Sequence, residues 1–468
     1  IDVEHLDTAA YRILKAKFDL GLFEDPYPPE TIDVAAAAVE GLELNEELAA
    51  RSVVLVKNDG LMPLADRGAS VAVIGPHADA TALQFPTYTY PAWREMVQVM
   101  SSGGFGNAVG VDAGLEEWNR VQLPHLETAD LLRASHGARP LHAWIGEHAA
   151  SVTVEQGCTL TTEIDGGLAR AVAAAEAADV VVLALGGASL WFNGERTEGE
   201  GSDSADIALP QAQRELAEAV MATGATVVVV LTQGRAYTLP PAVADARAIL
   251  VASFGGVFGQ KAVADVIFGA TEPSGRLPYT IPLHGGQVPI YHHQKAGTGY
   301  RNPLPPGRDR LYLDLPATPL FSFGHGLAYT TFATTDLAVG GPIDAFGSVD
   351  VSVTVANTGA RAGVAVPQLY LRVNTTGVTR PAQQLAGFAR VSLEPGEARR
   401  VTFTVDATQL AYTNLAREFA IEPARVDVFV GAHADAADVT GAFDVTGDAR
   451  VVASHERTFL TSVTVTEA

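Results

Sequence analysis

Asp179-Val-Val-Val-Leu-Ala-Leu185 leads through a glycine pair into Trp191-Phe-Asn-Gly-Glu-Arg-Thr-Glu-Gly-Glu-Gly-Ser-Asp203, and then into Leu209-Pro-Gln-Ala-Gln-Arg-Glu-Leu-Ala-Glu-Ala-Val220. The first segment is apolar without alternation, the pattern of a parallel strand covered on both faces. The third repeats Leu216 and Val220 at helical spacing behind Pro210, which predicts a helix. The acidic stretch between them therefore leaves the carboxyl end of a strand, the edge at which open α/β sheets bind ligands. Glu195, Glu198 and Glu200 fall within six residues, spaced by glycines that let the backbone turn sharply. This is the pattern of a catalytic loop. Loop composition alone also fits a solvated acidic surface segment.

Working outward, Val71-Ala-Val-Ile74 and residues 226–231 and 248–252 read as further buried strands. Residues 166–178, 210–223 and 259–268 read as helices beside them. Alternating strands and helices imply parallel pairing through right-handed crossovers. Residues 45–57 read as one capped helix that turns apolar at its end and stops at Asn58-Asp-Gly60. Residues 85–144 lack a period and read as a long excursion shaping a pocket rim. The opening segment places Leu6, Ala10, Ile13, Leu14 and Lys17 on one helical face, with Gly21 as its cap, and Pro26-Tyr-Pro-Pro-Glu-Thr31 follows as an extended linker. After about residue 335 the texture changes to period-two runs such as Val349-Asp-Val-Ser-Val-Thr-Val355 and Arg400-Val-Thr-Phe-Thr-Val405. Turns such as Leu393-Glu-Pro-Gly-Glu397 separate them, which predicts a small antiparallel β-sandwich.

The composition of the 468 residues, 47% hydrophobic and 18% charged, suits a globular chain, and no apolar run approaches a membrane span. A net charge of -23 disfavours nucleic acid and anionic membranes as partners and fits a neutral ligand better. Cys158 is the single cysteine, so no intrachain disulfide forms, and no Cys/His cluster has metal-ligand spacing. Gly255-Gly-Val-Phe-Gly259 lacks the endings that mark a nucleotide or dinucleotide site, so no cofactor is expected. The first residue is Ile1 and no signal segment follows it, which leaves cytoplasmic and secreted locations both open. Asn374-Thr-Thr376 matches a glycosylation sequon and is taken as chance.

Several motifs in order resemble a known family. They are Ser52-Val-Val-Leu-Val-Lys-Asn58 with Met62-Pro-Leu64, Ala72-Val-Ile-Gly-Pro76, Ala264-Asp-Val-Ile-Phe-Gly269 with Pro273-Ser-Gly-Arg-Leu-Pro278, and Phe323-Gly-His-Gly-Leu-Ala-Tyr-Thr-Thr-Phe332. Together they resemble the later domains of a family 3 glycoside hydrolase, the family of many retaining β-glucosidases and β-xylosidases. Thr379-Arg-Pro381, Leu385-Ala-Gly-Phe388 and the 393–397 turn resemble the fibronectin type III-like domain found behind them. The resemblance implies three parts. Residues 1–32 are a helix and linker left from a barrel domain that this chain lacks. Residues 33–333 are an α/β sandwich domain, built on a mostly parallel sheet, that carries the acid/base loop. Residues 334–468 are an all-β fibronectin type III-like sandwich and tail.

The family's acid/base carboxylate commonly sits in Gly-Glu-Gly-x-Asp, which matches Gly199-Glu200-Gly201-Ser202-Asp203 and implies Glu200 as that residue. Ser204 stands where many relatives have arginine. The family's nucleophile is an aspartate in a barrel Ser-Asp motif, whereas the only Ser-Asp here is Ser202-Asp203, and the sugar-binding Lys-His motif is absent. The chain thus carries about half an active site, and the resemblance implies a nucleophile from a separate or cleaved barrel chain. Retaining hydrolysis needs two carboxyl groups about 5–5.5 Å apart, one attacking the anomeric carbon and one protonating the leaving oxygen. A carboxyl that acts as acid near neutrality must be kept protonated by apolar surroundings or a negative neighbour. Trp191 and Phe192 supply such a wall and an aromatic face for a sugar, or else close the core at the strand end. Trp191, Glu198 and Asp203 are the candidate substrate-binding residues. Glu195 and Glu198 are alternative acids or ion-pair partners of Arg196 on the rim. His325 is expected to bond backbone, and His77, His292 and His293 have no assigned role. The expected substrate is a terminal β-glucoside or β-xyloside. The rival is a non-catalytic carbohydrate-binding or structural protein derived from such an enzyme.

Overall fold

A computed structural model describes residues 2–27, 40–64, 68–92, 133, 137–189, 195–200, 202–295, 297, 299–301, 312–375 and 377–468. Two units arise, Ile1–Leu42 and Glu43–Ala468. The first contains α1, Val3–Asp19, closed where the Leu20 N–H reaches the Ala16 carbonyl and the Gly21 N–H, at φ 69°, reaches the Phe18 carbonyl. The expected helix is therefore present. Most of the expected linker, from residue 28 on, lies outside the described residues.

The second unit opens with a sheet of six strands, β1 (Val54–Asn58), β2 (Ser70–Ile74), β3 (Ser151–Glu155), β4 (Val180–Gly186), β5 (Val227–Thr232) and β6 (Ala248–Ala252), in the order β1-β6-β5-β4-β2-β3. β2 to β6 pair in parallel, and β1 runs antiparallel on β6 at the edge. The helices are α2 (Leu42–Ser52), α3 (Leu141–Ile145), α4 (Gly167–Ala177), α5 (Gln211–Ala222), α6 (Pro241–Ala244) and α7 (Gly259–Ile267). The period of two in the strands sorts the core. Ile74, Leu183, Val229 and Ile249 face α4, α5 and α6, while Val73, Val182, Val230 and Leu250 face α2, α3 and α7. Every residue of β4, β5 and β6 is buried, as unbroken apolar runs require. Truncating Leu183 to alanine in this layer costs about 2–5 kcal/mol.

The single helix expected over residues 45–57 is corrected here. The helix ends at Ser52, and Val54–Asn58 is strand β1. The β-branched Val53, Val54 and Val56 favour an extended backbone, and the edge of β6 offers them hydrogen-bond partners. β3 was not anticipated either; its residues are exposed or half-buried at the other edge of the sheet.

The chain builds β2, adds β3 on one side of it, then places β4 on the other side. The strand order therefore reverses between β2 and β4, and the crevice at their carboxyl ends is the topological switch point. The loop of interest leaves β4 there.

Beyond Phe332 the chain forms the expected antiparallel sandwich. One sheet orders Gln384–Phe388, Gln368–Asn374, Ala424–His433 and Ala436–Val445; the other orders Ser462–Glu467, Ala398–Asp406, Ser348–Asn357 and Phe332–Val339. Their inner positions, among them Val351, Leu369, Phe403 and Val428, make one core. The sandwich is tied to the α/β part by Arg390, which donates to the Ser274 hydroxyl at 2.9 Å, and by Gln368 on the Gly324 carbonyl at 2.9 Å. His325 bonds the Val56 carbonyl at 2.8 Å, the backbone role expected of it. Among the described residues no helix is long and apolar enough to cross a membrane.

Candidate active site

The strand β4 ends at Gly186, which Gln213 of α5 clamps from both sides, accepting from its N–H at 2.9 Å and donating to its carbonyl at 2.8 Å. The loop then returns onto its own root. Ala188 donates to the Thr197 hydroxyl at 2.9 Å, and its carbonyl receives the Thr197 and Glu198 N–H groups at 3.2 Å. At Gly199, φ is 98° and a Cβ would stand 2.2 Å from the Ser189 carbonyl oxygen, so this return requires glycine.

The three carboxylates meet different fates. Glu195 is spent on the turn at 159–162, accepting the Thr159 hydroxyl at 2.5 Å, the Thr161 hydroxyl at 2.6 Å and the Leu160 N–H at 2.9 Å. Burial pushes its pKa up, but these donors outweigh burial and hold it below its ordinary value. Glu198 turns inward and is 3% exposed. Its Oε2 accepts the Gly234 N–H at 3.0 Å, and its Oε1 is buried without a partner among the described residues. Burial raises its pKa against the opposing pull of the Gly234 N–H and the Arg235 charge. Glu200 alone of the three is exposed, and the Tyr88 hydroxyl donates to its Oε2.

A raised carboxyl near a cleft is an ordinary mark of a catalytic acid, which favours Glu198 over Glu200. An acid must also lie within hydrogen-bond reach of the oxygen it protonates, whereas Glu198 is sealed beneath Gly187, Thr197 and Tyr237. Asp203 is exposed. Trp191 and Phe192 lie outside the described residues, as does Gly201.

Residues from distant parts of the sequence complete the edge. Arg235, just past β5, donates to the Thr197 carbonyl at 2.6 Å and the Ser204 hydroxyl at 3.1 Å, so a guanidinium reaches position 204 from elsewhere in the chain. The segment after β2 lies across the root of the loop, where Thr87 donates its N–H to the Ser189 hydroxyl and its own hydroxyl to the Ser189 carbonyl, both at 2.8 Å. Tyr88 next to it holds φ at 71° and is 82% exposed. A bulky residue in the left-handed region is held there by its surroundings at a cost of about 1–3 kcal/mol. His77, just past β2, is fully buried with neither ring nitrogen hydrogen-bonded, and burial lowers its pKa to about 4. His292 stacks on Phe323 with 3.9 Å between ring centres and takes no part in the loop. Sequence reasoning missed Tyr88, Arg235 and Gln213. The one signal available was the Leu-Pro-x-x-Gln start of α5, which puts Gln213 one turn inside a helix that faces β4. Among the described residues no group of three or more His, Cys, Asp or Glu is arranged to hold a metal ion.

Residues 53–329 match the glycosyl hydrolase family 3 C-terminal domain, and residues 365–434 match a fibronectin type III-like domain. A periplasmic beta-glucosidase of Salmonella typhimurium is 35% identical over 92% of this chain and 54% of its own length. A beta-xylosidase of Formosa agariphila is 33% identical over 93% of this chain and 55% of its own length. Among solved structures, a beta-glucosidase from Listeria innocua in complex with isofagomine superposes with a TM-score of 0.76 at 28% identity, covering 96% of this chain and 56% of that one. The chain thus spans about half the length of the relatives it matches. With the switch-point loop, the two-layer order and these matches in agreement, the chain belongs to glycoside hydrolase family 3, where it comprises the C-terminal α/β domain and the fibronectin type III-like domain behind it.

Proposed function

We propose that this chain is the acid/base-bearing part of a retaining exo-acting β-glycosidase that removes terminal β-glucosyl or β-xylosyl residues, with Glu200 as the acid/base. The observation that carries this reading is the sorting of the three loop carboxylates. Glu195 is consumed by threonine donors, Glu198 is sealed inside, and Glu200 stands exposed at the switch-point edge. The relatives named as beta-glucosidase and beta-xylosidase support the substrate class.

In this mechanism a carboxylate outside these 468 residues, on a barrel domain or a separate barrel chain, attacks the anomeric carbon. Glu200 gives its proton to the departing oxygen as the C–O bond breaks. It then takes a proton from water as that water attacks the same carbon and releases the carboxylate nucleophile. Tyr88 fixes one carboxyl oxygen and leaves the other for the proton. Glu198, with Gly234 and Arg235, holds the backbone from which Glu200 projects. The exposed Ile13 and Leu14 of α1 suit a helix whose apolar face completes a barrel surface.

Hydrolysis of aryl β-glucosides and β-xylosides by this chain alone, and by the same chain joined to or mixed with its barrel, tests the proposal. Activity should require the barrel and fall away in Glu200→Gln. Turnover by the chain alone, or full turnover of unactivated substrates by Glu200→Gln, refutes it.

A further inference from the structure

The β-sandwich carries an open-mouthed pocket of about 440 Å³ to which no residue of the Glu200 loop contributes. Its chemistry is unlike that of the chain as a whole. Two arginines, Arg380 and Arg457, line it together with Tyr412, Phe419, Phe459 and Gln384. The Arg380 guanidinium lies 4.7 Å from the centre of the Tyr412 ring, and that of Arg457 lies 3.9 Å from the centre of the Phe419 ring. Arg380 Nε is buried with no hydrogen-bond partner, and among the described residues neither arginine has a carboxylate partner. The nearby acid is already engaged, because Glu422 accepts the Tyr412 hydroxyl at 2.6 Å and the Asn414 amide at 3.0 Å.

In a chain of net charge -23, a partly buried Arg380 and an exposed Arg457 at one pocket, both without counter-anions, are a local exception, and keeping the Arg380 charge partly buried and unpaired is costly. An anion entering the cavity relieves that cost. The planar guanidinium fork matches a carboxylate in bidentate geometry. One face of Tyr412 and one of Phe419 are covered by the arginines, but the Phe459 ring is 79% exposed at the cavity and free to lie against the C–H face of a pyranose. The Gln384 amide offers a donor and an acceptor for sugar hydroxyls. The volume lies within the ordinary range for small-molecule sites and holds one or two sugar rings.

We propose that this cavity is a saccharide-binding site for a uronic acid, one that holds an acidic branch or end of a glycan by its carboxylate between Arg380 and Arg457. The choice of a sugar acid over other organic anions rests on the glycosidase reading above. The site itself does not depend on Glu200.

Isothermal titration or amide chemical-shift titration of the 468-residue chain tests it, with a xylo-oligosaccharide bearing one glucuronic acid as probe. The neutral xylo-oligosaccharide of equal length and inorganic phosphate are the comparison arms. The acidic oligosaccharide should bind saturably, at least about tenfold more tightly than the neutral one, and binding should weaken with salt. Arg457→Gln should lose about tenfold or more, and so should Arg380→Gln, each with the melting temperature recorded alongside. If Arg380→Gln fails to fold, Arg457→Gln and Phe459→Ala carry the test. Glu200→Gln should bind as the parent does, so a failure of the catalytic assignment leaves this result untouched. Equal binding of neutral and acidic sugars overturns the proposal, as does phosphate binding as tightly as the uronate. Arginine variants that fold and bind like the parent overturn it too.

Discussion

Gly187→Ala is the substitution to which the packing beneath Glu200 should be most sensitive. Gly187 is absent from the positive-φ glycines, so its backbone is open to alanine and the whole cost is collision. A Cβ there would stand 2.1 Å from the Tyr237 hydroxyl, 2.4 Å from Thr197 Oγ1 and 2.5 Å from Glu198 Oε1, against a practical floor of 3.0 Å. Each atom must retreat by roughly half an ångström or more, and each is held: Tyr237 bonds Thr197 at 3.0 Å, Thr197 bonds Ala188, and Glu198 bonds Gly234. Overpacking of this kind costs about 1–3 kcal/mol, and loss of the Tyr237–Thr197 bond adds about 1 kcal/mol, so about 2–4 kcal/mol is expected. Denaturant unfolding of the chain reads the stability, and aryl glycoside turnover with the barrel present reads the loop. Gly224→Ala is the control, since φ there is 75° with nothing within 4 Å, and it should cost about 1 kcal/mol with turnover unchanged. If Gly187→Ala unfolds no more easily than Gly224→Ala and keeps full turnover, Glu198 is not packed as described.

Acid should destabilise the α/β domain through His77. Burial lowers its folded pKa to about 4 from 6.5, so the unfolded chain binds the extra proton between those values. The stability this group contributes is complete above pH 6.5 and is lost as pH falls toward 4, with a limiting slope of about 1.4 kcal/mol per pH unit and a total of about 3 kcal/mol. His292 and His433, also lowered to about 4 by burial, act in the same direction. Unfolding free energies measured from pH 7 to pH 4 should show the slope, and a flat profile refutes it. Glu195→Gln should loosen the loop by about 1 kcal/mol for each weakened threonine bond, visible as faster amide exchange over 195–200, while leaving-group dependence stays that of the parent. Tyr88→Phe should lower turnover of poor leaving groups by up to about tenfold and spare activated aryl glycosides, because it loosens the acid without removing it; a uniform loss across leaving groups counts against that role.

The α/β core was legible because β4, β5 and β6 are covered on both faces and so read as unbroken apolar runs. The sandwich was legible because strands such as Ser348–Asn357 and Ala398–Asp406 show one face to its core, as their alternating burial records. β1 was not, since only Val53 separates it from α2 and helix and strand merge into one apolar-ended segment. The loop announced three carboxylates but not their directions. Which of them turns inward depends on the missing side chains of Gly187 and Gly234, and which is exposed beside a phenol depends on Tyr88, 112 residues earlier. No local pattern encodes contacts of that range. The two arginines of the sandwich cavity were equally silent, being 77 residues apart and unremarkable singly.

The most direct test of Glu200 as the acid/base is the leaving-group and azide behaviour of Glu200→Gln in the enzyme assembled with its barrel, beside Glu195→Gln and Glu198→Gln. Glu200→Gln should hydrolyse unactivated glycosides severely more slowly, accumulate the glycosyl-enzyme from activated aryl glycosides, and be accelerated by azide, which attacks the intermediate without needing a general base. Ordinary rates on unactivated substrates in Glu200→Gln, with the azide response appearing instead in Glu195→Gln or Glu198→Gln, would place the acid on the other carboxylate.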